Sequence, residues 1–265
     1  MSILLWDTRD KARNVIVRNC DNIYFMVKAA IILAGGKGER LRPLTDKVPK
    51  PMIDILGRPL IEYQVLWLKD QGVTHIVFSC GYKNEVIRGY FKDGSEFGLK
   101  IDYAIEETPL GRGGAFKNAL KFIPADTKLV YGANGDEVIA EPLAPFVKFH
   151  EKNNAAATIL LQRLISPFGI VEIEDDGKVT AFREKPQLPH WINAGVYILN
   201  RSCIEMFPDV GDHETEVFPN LTKEGKLYGY KPTGFRGTVN TIKEMNELIK
   251  ELPKYFPQHL LVNTK

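Results

Sequence analysis

The chain has 265 residues, enough for one large domain or two small ones. Its 35 Lys and Arg against 33 Asp and Glu leave a formal charge of +2, which gives no global field for a nucleic-acid duplex or an anionic membrane and leaves room only for a local basic pocket. With 44% apolar and 26% charged residues, global disorder is excluded, and no apolar run approaches the ~18 residues of a membrane-spanning helix.

Residues 1–25 mix Trp6, Asp7, Arg9, Asp10, Lys11 and Arg13 with no alternation or helical stripe, and they lack the parts of a secretory signal. They read as a dispensable extension before a domain that opens at Met26, with an edge strand through Asn14–Arg18 as the competing expectation. Ala29–Leu33 is a buried strand. Leu60–Gln71 spaces Ile61, Val65, Leu66 and Leu68 as a helix that Gly72 closes. Then follow a strand at His75–Cys80, a helix at Glu85–Phe91, a strand at Lys100–Ile105, a helix at Gly113–Leu120, and a strand at Lys128–Tyr131 ending at Gly132. This βαβα order predicts a doubly wound, mainly parallel α/β sheet of Rossmann-like type, with ligands outside the carboxyl ends of its strands. The chemistry is therefore expected after Leu33, Ile105 and Tyr131.

From residue 142 the pattern changes. A helix near Leu143–Lys152 leads to strands at Ala157–Arg163, Ile170–Ile173, Lys178–Phe182 and Val196–Leu199, an antiparallel or mixed β extension that caps the first half. Asp175-Asp176-Gly177 is a hairpin turn. Thr241–Leu252 is a helix, after which Pro253 and Pro257 predict an irregular tail. Cys20, Cys80 and Cys203 lie far apart without a C-x-x-C pair, which argues against a disulfide framework or structural zinc and makes a reducing cytoplasm the default.

Leu33-Ala34-Gly35-Gly36-Lys37-Gly38-Glu39-Arg40 follows the first strand directly. Its glycines let the backbone approach a polyphosphate, its amides can form an anion nest, and Lys37 and Arg40 add charge. The spacing matches neither a dinucleotide fingerprint nor a P-loop, which disfavours an NAD-linked dehydrogenase. Further on, Pro49 and Pro51 restrict the backbone on either side of Lys50, a way to fix a cation over a phosphate.

Together, Leu33–Thr45 and Pro49-Lys50-Pro51-Met52 resemble the signature of the sugar-1-phosphate nucleotidyltransferases. The resemblance runs from about Val27 to Leu248. It implies a nucleotidyltransferase-type fold with an extension at 1–25, a domain at 26–252 (an NTP half at 26–141, a sugar-phosphate half at 142–240, a C-terminal helix at 241–252) and a tail at 253–265. It also implies that Leu33, Ala34, Gly35, Gly36 and Gly38 bind the nucleotide, that Arg40 holds the β and γ phosphates, and that Lys50 stabilises the α-phosphorus.

Ile105–Ala115 is similar to that family's second nucleotide loop, with Glu106 and Gly111 as nucleotide-binding positions. Relatives that transfer thymidylyl or uridylyl groups carry glutamine where this chain has Glu106. A carboxylate only accepts hydrogen bonds, so it suits the adjacent N1–H and N2–H of guanine, and a GTP preference follows, with Glu107 as the alternative acceptor. Arg112 replaces the usual threonine, without a role readable from the sequence. Asn134-Gly135-Asp136 resembles the N-G-D motif, which implies that Asp136 is catalytic and binds Mg²⁺.

In the second half, Phe168–Ile173 and Val179–Pro186 resemble the sugar-phosphate blocks. That implies sugar-phosphate roles for Gly169, Glu184 and Lys185, and the similarity of Asn193-Ala194-Gly195 to the family's N-A-G implies one for Asn193, while Glu214 lies in a stretch near the sugar pocket and Phe218 and Pro219 read as core. Where relatives carry F-W-x-D-I-G-T-P, this chain has Phe235-Arg236-Gly237-Thr238-Val239-Asn240-Thr241-Ile242. The second metal-ligand aspartate falls on Thr238, or on Asn240 if the alignment shifts by two. The implied function is transfer of a nucleotidyl group from an NTP, GTP favoured, to a sugar 1-phosphate of mannose type, with release of pyrophosphate. The pattern is most similar to mannose- and manno-heptose-1-phosphate guanylyltransferases. The alternatives are an impaired nucleotide-sugar-binding regulatory paralogue and a thymidylyl- or uridylyltransferase for glucose 1-phosphate. No nucleic-acid or membrane partner is expected, and a homo-oligomer stays open.

Overall fold

In the computed structural model, which describes residues 27–256, β1 (Ala29–Leu33) lies in the middle of the molecule, with Ala29 to Ile32 fully buried, as a central parallel strand requires. The first part of the chain continues with a small hairpin, β2 (Asp54–Ile55) and β3 (Arg58–Pro59). It then forms α1 (Leu60–Asp70), β4 (His75–Cys80), α2 (Asn84–Phe91), β5 (Lys100–Ile105), α3 (Gly111–Leu120), β6 (Leu129–Asn134) and β7 (Glu137–Ala140). The second part begins with α4 (Leu143–Lys152), β8 (Ala157–Ile165), β9 (Ile170–Ile173), β10 (Val179–Arg183) and β11 (Gln187–Asn200). It closes with α5 (Arg201–Glu205), α6 (His213–Glu216), α7 (Phe218–Lys223), β12 (Leu227–Tyr230), β13 (Phe235–Thr238) and α8 (Ile242–Tyr255). The expected extension at 1–25, its alternative edge strand, Cys20 and the tail after Phe256 fall outside the described residues.

Seven strands form one sheet in the order β12-β8-β11-β6-β1-β4-β5. β5, β4, β1 and β6 are parallel to one another, whereas β11 runs antiparallel to both β6 and β8. The doubly wound α/β sheet is thus present with its antiparallel part, but that part does not merely cap the first half: β11 is inserted beside β6, and one sheet continues through both. The chain steps from β1 outward through β4 to β5, then returns to place β6 on the other side of β1. Such a reversal opens a crevice at the strand ends. Leu33 stands in register with Ser79 on one side and Asn134 on the other, so three carboxyl ends come level there.

Alternation along β1 sends Ala30 and Ile32 into one core layer and Ala29 and Ile31 into the other. The first layer takes α1, α2, α4 and α8 through residues such as Leu60, Phe91, Phe146 and Leu252; the second takes α3, α5 and α7 through Phe116, Ile204 and Leu221. Among the described residues no helix is long and apolar enough to cross a membrane, and Cys80 and Cys203 are free and buried.

Several boundaries differ from expectation for local reasons. β6 does not end at Gly132 but runs to Asn134, because Gly132 gives room to the Phe116 ring: a Cβ there would lie 2.8 Å from Phe116 Cε1. β11 is 14 residues long, far beyond the expected Val196–Leu199, and its pairing with β8 shifts register twice, which hid the alternation. α3 begins at Gly111, two residues early. α8 passes through Pro253 to Tyr255, so the tail is not irregular from 253: the turn is held by Phe256 N–H donating to the Leu252 carbonyl at 3.0 Å, with both side chains buried. The 175–177 turn joins β9 to β10 in an antiparallel ribbon, closed by the Gly177 N–H on the Glu174 carbonyl at 2.9 Å. Phe218 is core, as expected, but Pro219 is exposed in the first turn of α7, where its missing N–H has no partner to lose.

Candidate active site

A cavity of about 720 Å³ opens at the carboxyl ends of β1, β4, β5 and β6. Its walls include Leu33, Ala34, Gly35 and Gly36 after β1, Glu106 and Glu107 after β5, Gly111 and Arg112 at the start of α3, and Asn134 and Asp136 after β6. Lys37 and Lys50 supply cationic side chains. The start of the loop after β1 is tied to both neighbouring strands: Ala34 N–H donates to the Ser79 carbonyl at 2.7 Å, and Gly135 N–H donates to the Leu33 carbonyl at 2.8 Å. Gly38 sits at φ 66° with the Lys50 side chain against it, where a Cβ would come within 2.8 Å of Lys50 Cβ. The left-handed turn therefore makes room for the lysine.

Lys50 belongs to a short helical turn at Lys50–Met52 whose N-cap is Pro49. Its ammonium donates to Asp136 Oδ2 and, at 2.9 Å, to Asn240 Oδ1. Arg40 Nη2 approaches the same Asn240 oxygen at 3.4 Å. Segments 86 and 190 residues distant from Lys50 thus meet at one ammonium. Of the two positions left open for the second metal ligand, Asn240 faces Asp136 and Lys50, while Thr238 hydrogen-bonds to the Asn240 amide at 3.4 Å.

No cluster of three or more His, Cys, Asp or Glu side chains suited to a metal exists among the described residues. Two oxygen donors, Asp136 Oδ2 and Asn240 Oδ1, nevertheless already converge on one cation, the Lys50 ammonium. That donor set fits Mg²⁺, which is commonly held by one or two protein oxygens with phosphates and water completing its shell.

Glu106 is fixed at the cavity wall. Its Oε1 accepts from Ser79 Oγ at 2.9 Å and its Oε2 from Leu110 N–H at 3.2 Å, so each oxygen keeps a further acceptor site. Glu107, the alternative acceptor, also lines the cavity but is exposed.

The four expected sugar-phosphate residues do not line this cavity. Gly169, Glu184 and Lys185 lie together at the base of the β9–β10 ribbon, where a Cβ on Gly169 would stand 3.0 Å from Glu184 Oε2. Asn193 is on β11, and its Nδ2 donates to Tyr197 Oη at 2.9 Å and Glu214 Oε1 at 2.8 Å. Of the nucleotide set, Leu33, Ala34, Gly35, Gly36, Glu106 and Gly111 line the cavity, Gly38 lies against Lys50 and Arg40 reaches Asn240 outside that lining, and the sugar-phosphate set falls in two other places.

Sequence reasoning missed Gly81 and Tyr82, which line the cavity after β4, and Ser79, which orients Glu106. Their position at a carboxyl strand end in the level row was the available signal. It also missed the pairing of Arg236 with Glu137. Arg236 Nη2 donates to Glu137 Oε1 at 2.7 Å and to the Ala194 carbonyl at 2.9 Å, joining β13 to β7 and β11 beneath Asp136. Burial pushes the Glu137 carboxyl up to about 8, against the opposing pull of Arg236.

The nucleotidyl transferase family model matches residues 29–251. A mannose-1-phosphate guanylyltransferase of Mycobacterium tuberculosis (strain ATCC 25618 / H37Rv) is 40% identical over 220 residues, 80% of this chain and 61% of that protein. A UTP–glucose-1-phosphate uridylyltransferase of Synechocystis sp. is 35% identical over 215 residues, 74% of this chain and 55% of that protein. The chain therefore spans less than two thirds of the length of these relatives. The crystal structure of HddC from Yersinia pseudotuberculosis complexed with GMP-PN matches with a TM-score of 0.68 at 28% identity, over 85% of this chain and 100% of that one.

Proposed function

The chain belongs to the nucleotidyl transferase family, and from that premise we propose that it transfers a nucleotidyl group from GTP to a sugar 1-phosphate of mannose type, releasing pyrophosphate and forming a GDP-sugar. The observation that carries this reading is the meeting of Lys50, Asp136 and Asn240 at the mouth of the glycine-rich cavity.

In the proposed reaction an oxygen of the sugar 1-phosphate attacks the α-phosphorus of the NTP. A P–O bond forms to the sugar phosphate, the bond from the α-phosphorus to the α,β-bridging oxygen breaks, and pyrophosphate leaves on the opposite side. Such transfer depends on positioning and charge neutralisation more than on covalent work by the protein. The backbone at Leu33–Gly36 and Gly38 would cradle the triphosphate, with Gly111 at the nucleoside end. Arg40 would hold the outer phosphates and Lys50 the α-phosphoryl oxygens as charge builds there. Asp136 and Asn240 would hold Mg²⁺, which supplies charge neutralisation at the phosphates. Gly169, Glu184, Lys185 and Asn193 would take the sugar phosphate, which requires the ribbon and β11 to serve the same substrate from outside the nucleotide cavity.

The GTP preference rests on Glu106, an acceptor-only group held by Ser79 and Leu110 where the adjacent donors of guanine would be read. The name of the Mycobacterium relative agrees with it, and that of the Synechocystis relative favours UTP and glucose 1-phosphate as the second reading. The unpaired, buried Cys80 and Cys203 support a reducing compartment such as the cytoplasm. The deciding experiment is a screen of four NTPs against a panel of sugar 1-phosphates with Mg²⁺, read by pyrophosphate release. GTP with mannose 1-phosphate is expected to lead. Faster turnover of UTP or dTTP would overturn the base assignment, and no release from any pair would favour a binding protein that has lost turnover.

A further inference from the structure

Arg112 forms part of the nucleotide cavity wall. Its guanidinium pairs with two carboxylates of the second half of the chain. Nε donates to Asp212 Oδ2 at 2.8 Å, Nη2 donates to the same oxygen, and Nη1 donates to Glu214 Oε1 at 2.9 Å. Asp212 is itself fixed, because its Oδ1 accepts from the Glu214 N–H at 3.0 Å as the N-cap of α6.

The surrounding backbone is equally constrained. Gly113 N–H donates to the Gly211 carbonyl at 3.0 Å, and Gly211 N–H donates to the Leu110 carbonyl at 2.9 Å. A Cβ on Gly113 would lie 2.8 Å from His213 N, so the loop before α6 lies directly on the first turn of α3. Arg112 is the charged member of this clasp between the nucleotide loop and the second half of the chain.

The consequence falls on Glu214. Its Oε1 accepts from Arg112, from Asn193 Nδ2 at 2.8 Å and from Tyr197 Oη at 2.8 Å. The donors of Asn193 are used in turn: its two amide hydrogens go to Tyr197 Oη and Glu214, while its Oδ1 accepts from the Gly195 N–H at 2.8 Å. Asn193 can therefore meet a sugar only through the remaining acceptor site on Oδ1. Glu214 Oε2 takes part in none of these bonds, and the Glu214 side chain is 23% exposed, one side chain from the cavity.

We propose that Arg112 is a positioning residue that clamps Glu214 Oε1 and so presents Glu214 Oε2 as a fixed acceptor for one hydroxyl of the sugar 1-phosphate. Arg112 acts through Glu214. Its charge keeps two neighbouring carboxylates, Asp212 and Glu214, together on the same side of the clasp. The ligand class is a pyranose bearing a free hydroxyl at that corner. A carboxylate with its other oxygen fully used discriminates strongly against a substrate lacking that donor, because the acceptor would be desolvated without a partner.

This inference rests on the proposed transferase activity, and its test separates the two. Initial rates of pyrophosphate release are measured with GTP and mannose 1-phosphate, and with the set of monodeoxy analogues of that sugar phosphate, for wild type, Arg112→Met, Arg112→Lys, Glu214→Gln and the Arg112→Met/Glu214→Gln double variant. The wild type is expected to lose about 100-fold or more in kcat/KM with one monodeoxy analogue. In Arg112→Met and Glu214→Gln the KM for the sugar phosphate rises about ten-fold, the KM for GTP moves less than about two-fold, and discrimination against that analogue collapses. The double variant is no worse than the poorer single one, since both act on one contact. Arg112→Lys retains part of the discrimination, because an ammonium reaches one carboxylate but lacks the fork.

Unchanged discrimination in Glu214→Gln, which keeps the side-chain shape, overturns the inference even if Arg112→Met fails to fold. An equal rise of both KM values in Arg112→Met overturns it in favour of a phosphate contact. A wild type that releases no pyrophosphate with any NTP and sugar 1-phosphate overturns the proposed function and this inference with it.

Discussion

Asn240 Oδ1 accepts a hydrogen bond from Lys50 Nζ at 2.9 Å, across 190 residues of chain. A neutral amide thus stands beside Asp136, where a carboxylate would hold a hard cation more firmly. Asn240→Asp is expected to lower the Mg²⁺ concentration for half-maximal pyrophosphate release on the order of ten-fold, and Asn240→Ala to raise it. Thr238→Val should leave that concentration within about two-fold, because Thr238 reaches the site only through Asn240. A reversed order for Asn240 and Thr238 in a Mg²⁺ titration would assign the ligand position to Thr238.

Lys50→Met removes the one ammonium that bridges Asp136 and Asn240. Loss of a single charge aimed at the reacting phosphoryl group is expected to cost about 10²–10³-fold in kcat. Calorimetric binding of GTP should persist, since Arg40 and the glycine-rich backbone remain. A kcat within about three-fold of wild type would show that Lys50 does not act on the transition state.

Glu106→Gln keeps the shape of the side chain and can still accept from Ser79 or Leu110, but it adds donors. The ratio of kcat/KM for GTP over UTP should fall by about ten-fold or more, the value of one mispaired charged contact. An unchanged ratio would move base recognition to Glu107 or to the backbone.

His213 gives a stability prediction independent of catalysis. It is fully buried and stacks on Phe207 with ring centroids 4.6 Å apart, and neither ring nitrogen has a hydrogen-bond partner. Burial holds the imidazole down at about 4 against the opposing influence of Asp212, whereas its ordinary value is 6.5. Between those two values the unfolded chain binds the proton and the folded one does not. Stability is therefore fully present above about 6.5 and is lost as pH falls toward about 4, by a few kcal/mol. His213→Phe should flatten the dependence of Tm on pH across that window, and an unchanged slope would place the acid sensitivity elsewhere.

The parallel half of the sheet was legible because its strands are short apolar runs separated by helices that carry their own stop signals, as at Gly72. The nucleotide residues were legible for a related reason: they sit directly after those strands, and the register of Leu33 with Ser79 and Asn134 brings their loops together. Of β11 only Val196–Leu199 was legible, since two register shifts break the alternation along the rest of the strand. The pairing of Arg236 with Glu137 and the clamp of Arg112 on Glu214 could not be read either. Each joins residues about 100 positions apart, and spacing along the chain carries no information about such partners.

The place of β11 between β6 and β8 has a consequence for how this protein comes into being. A break after Glu141 would leave β6 as a bare edge in one fragment and strip β11 of one of its two partners in the other, where only β8 would remain beside it. Each piece would then emerge with an apolar strand edge that the intact sheet covers. The nucleotide-handling half must wait for a strand synthesised dozens of residues later, so the two halves are joint products of a single folding event and could be reunited only by fragment complementation.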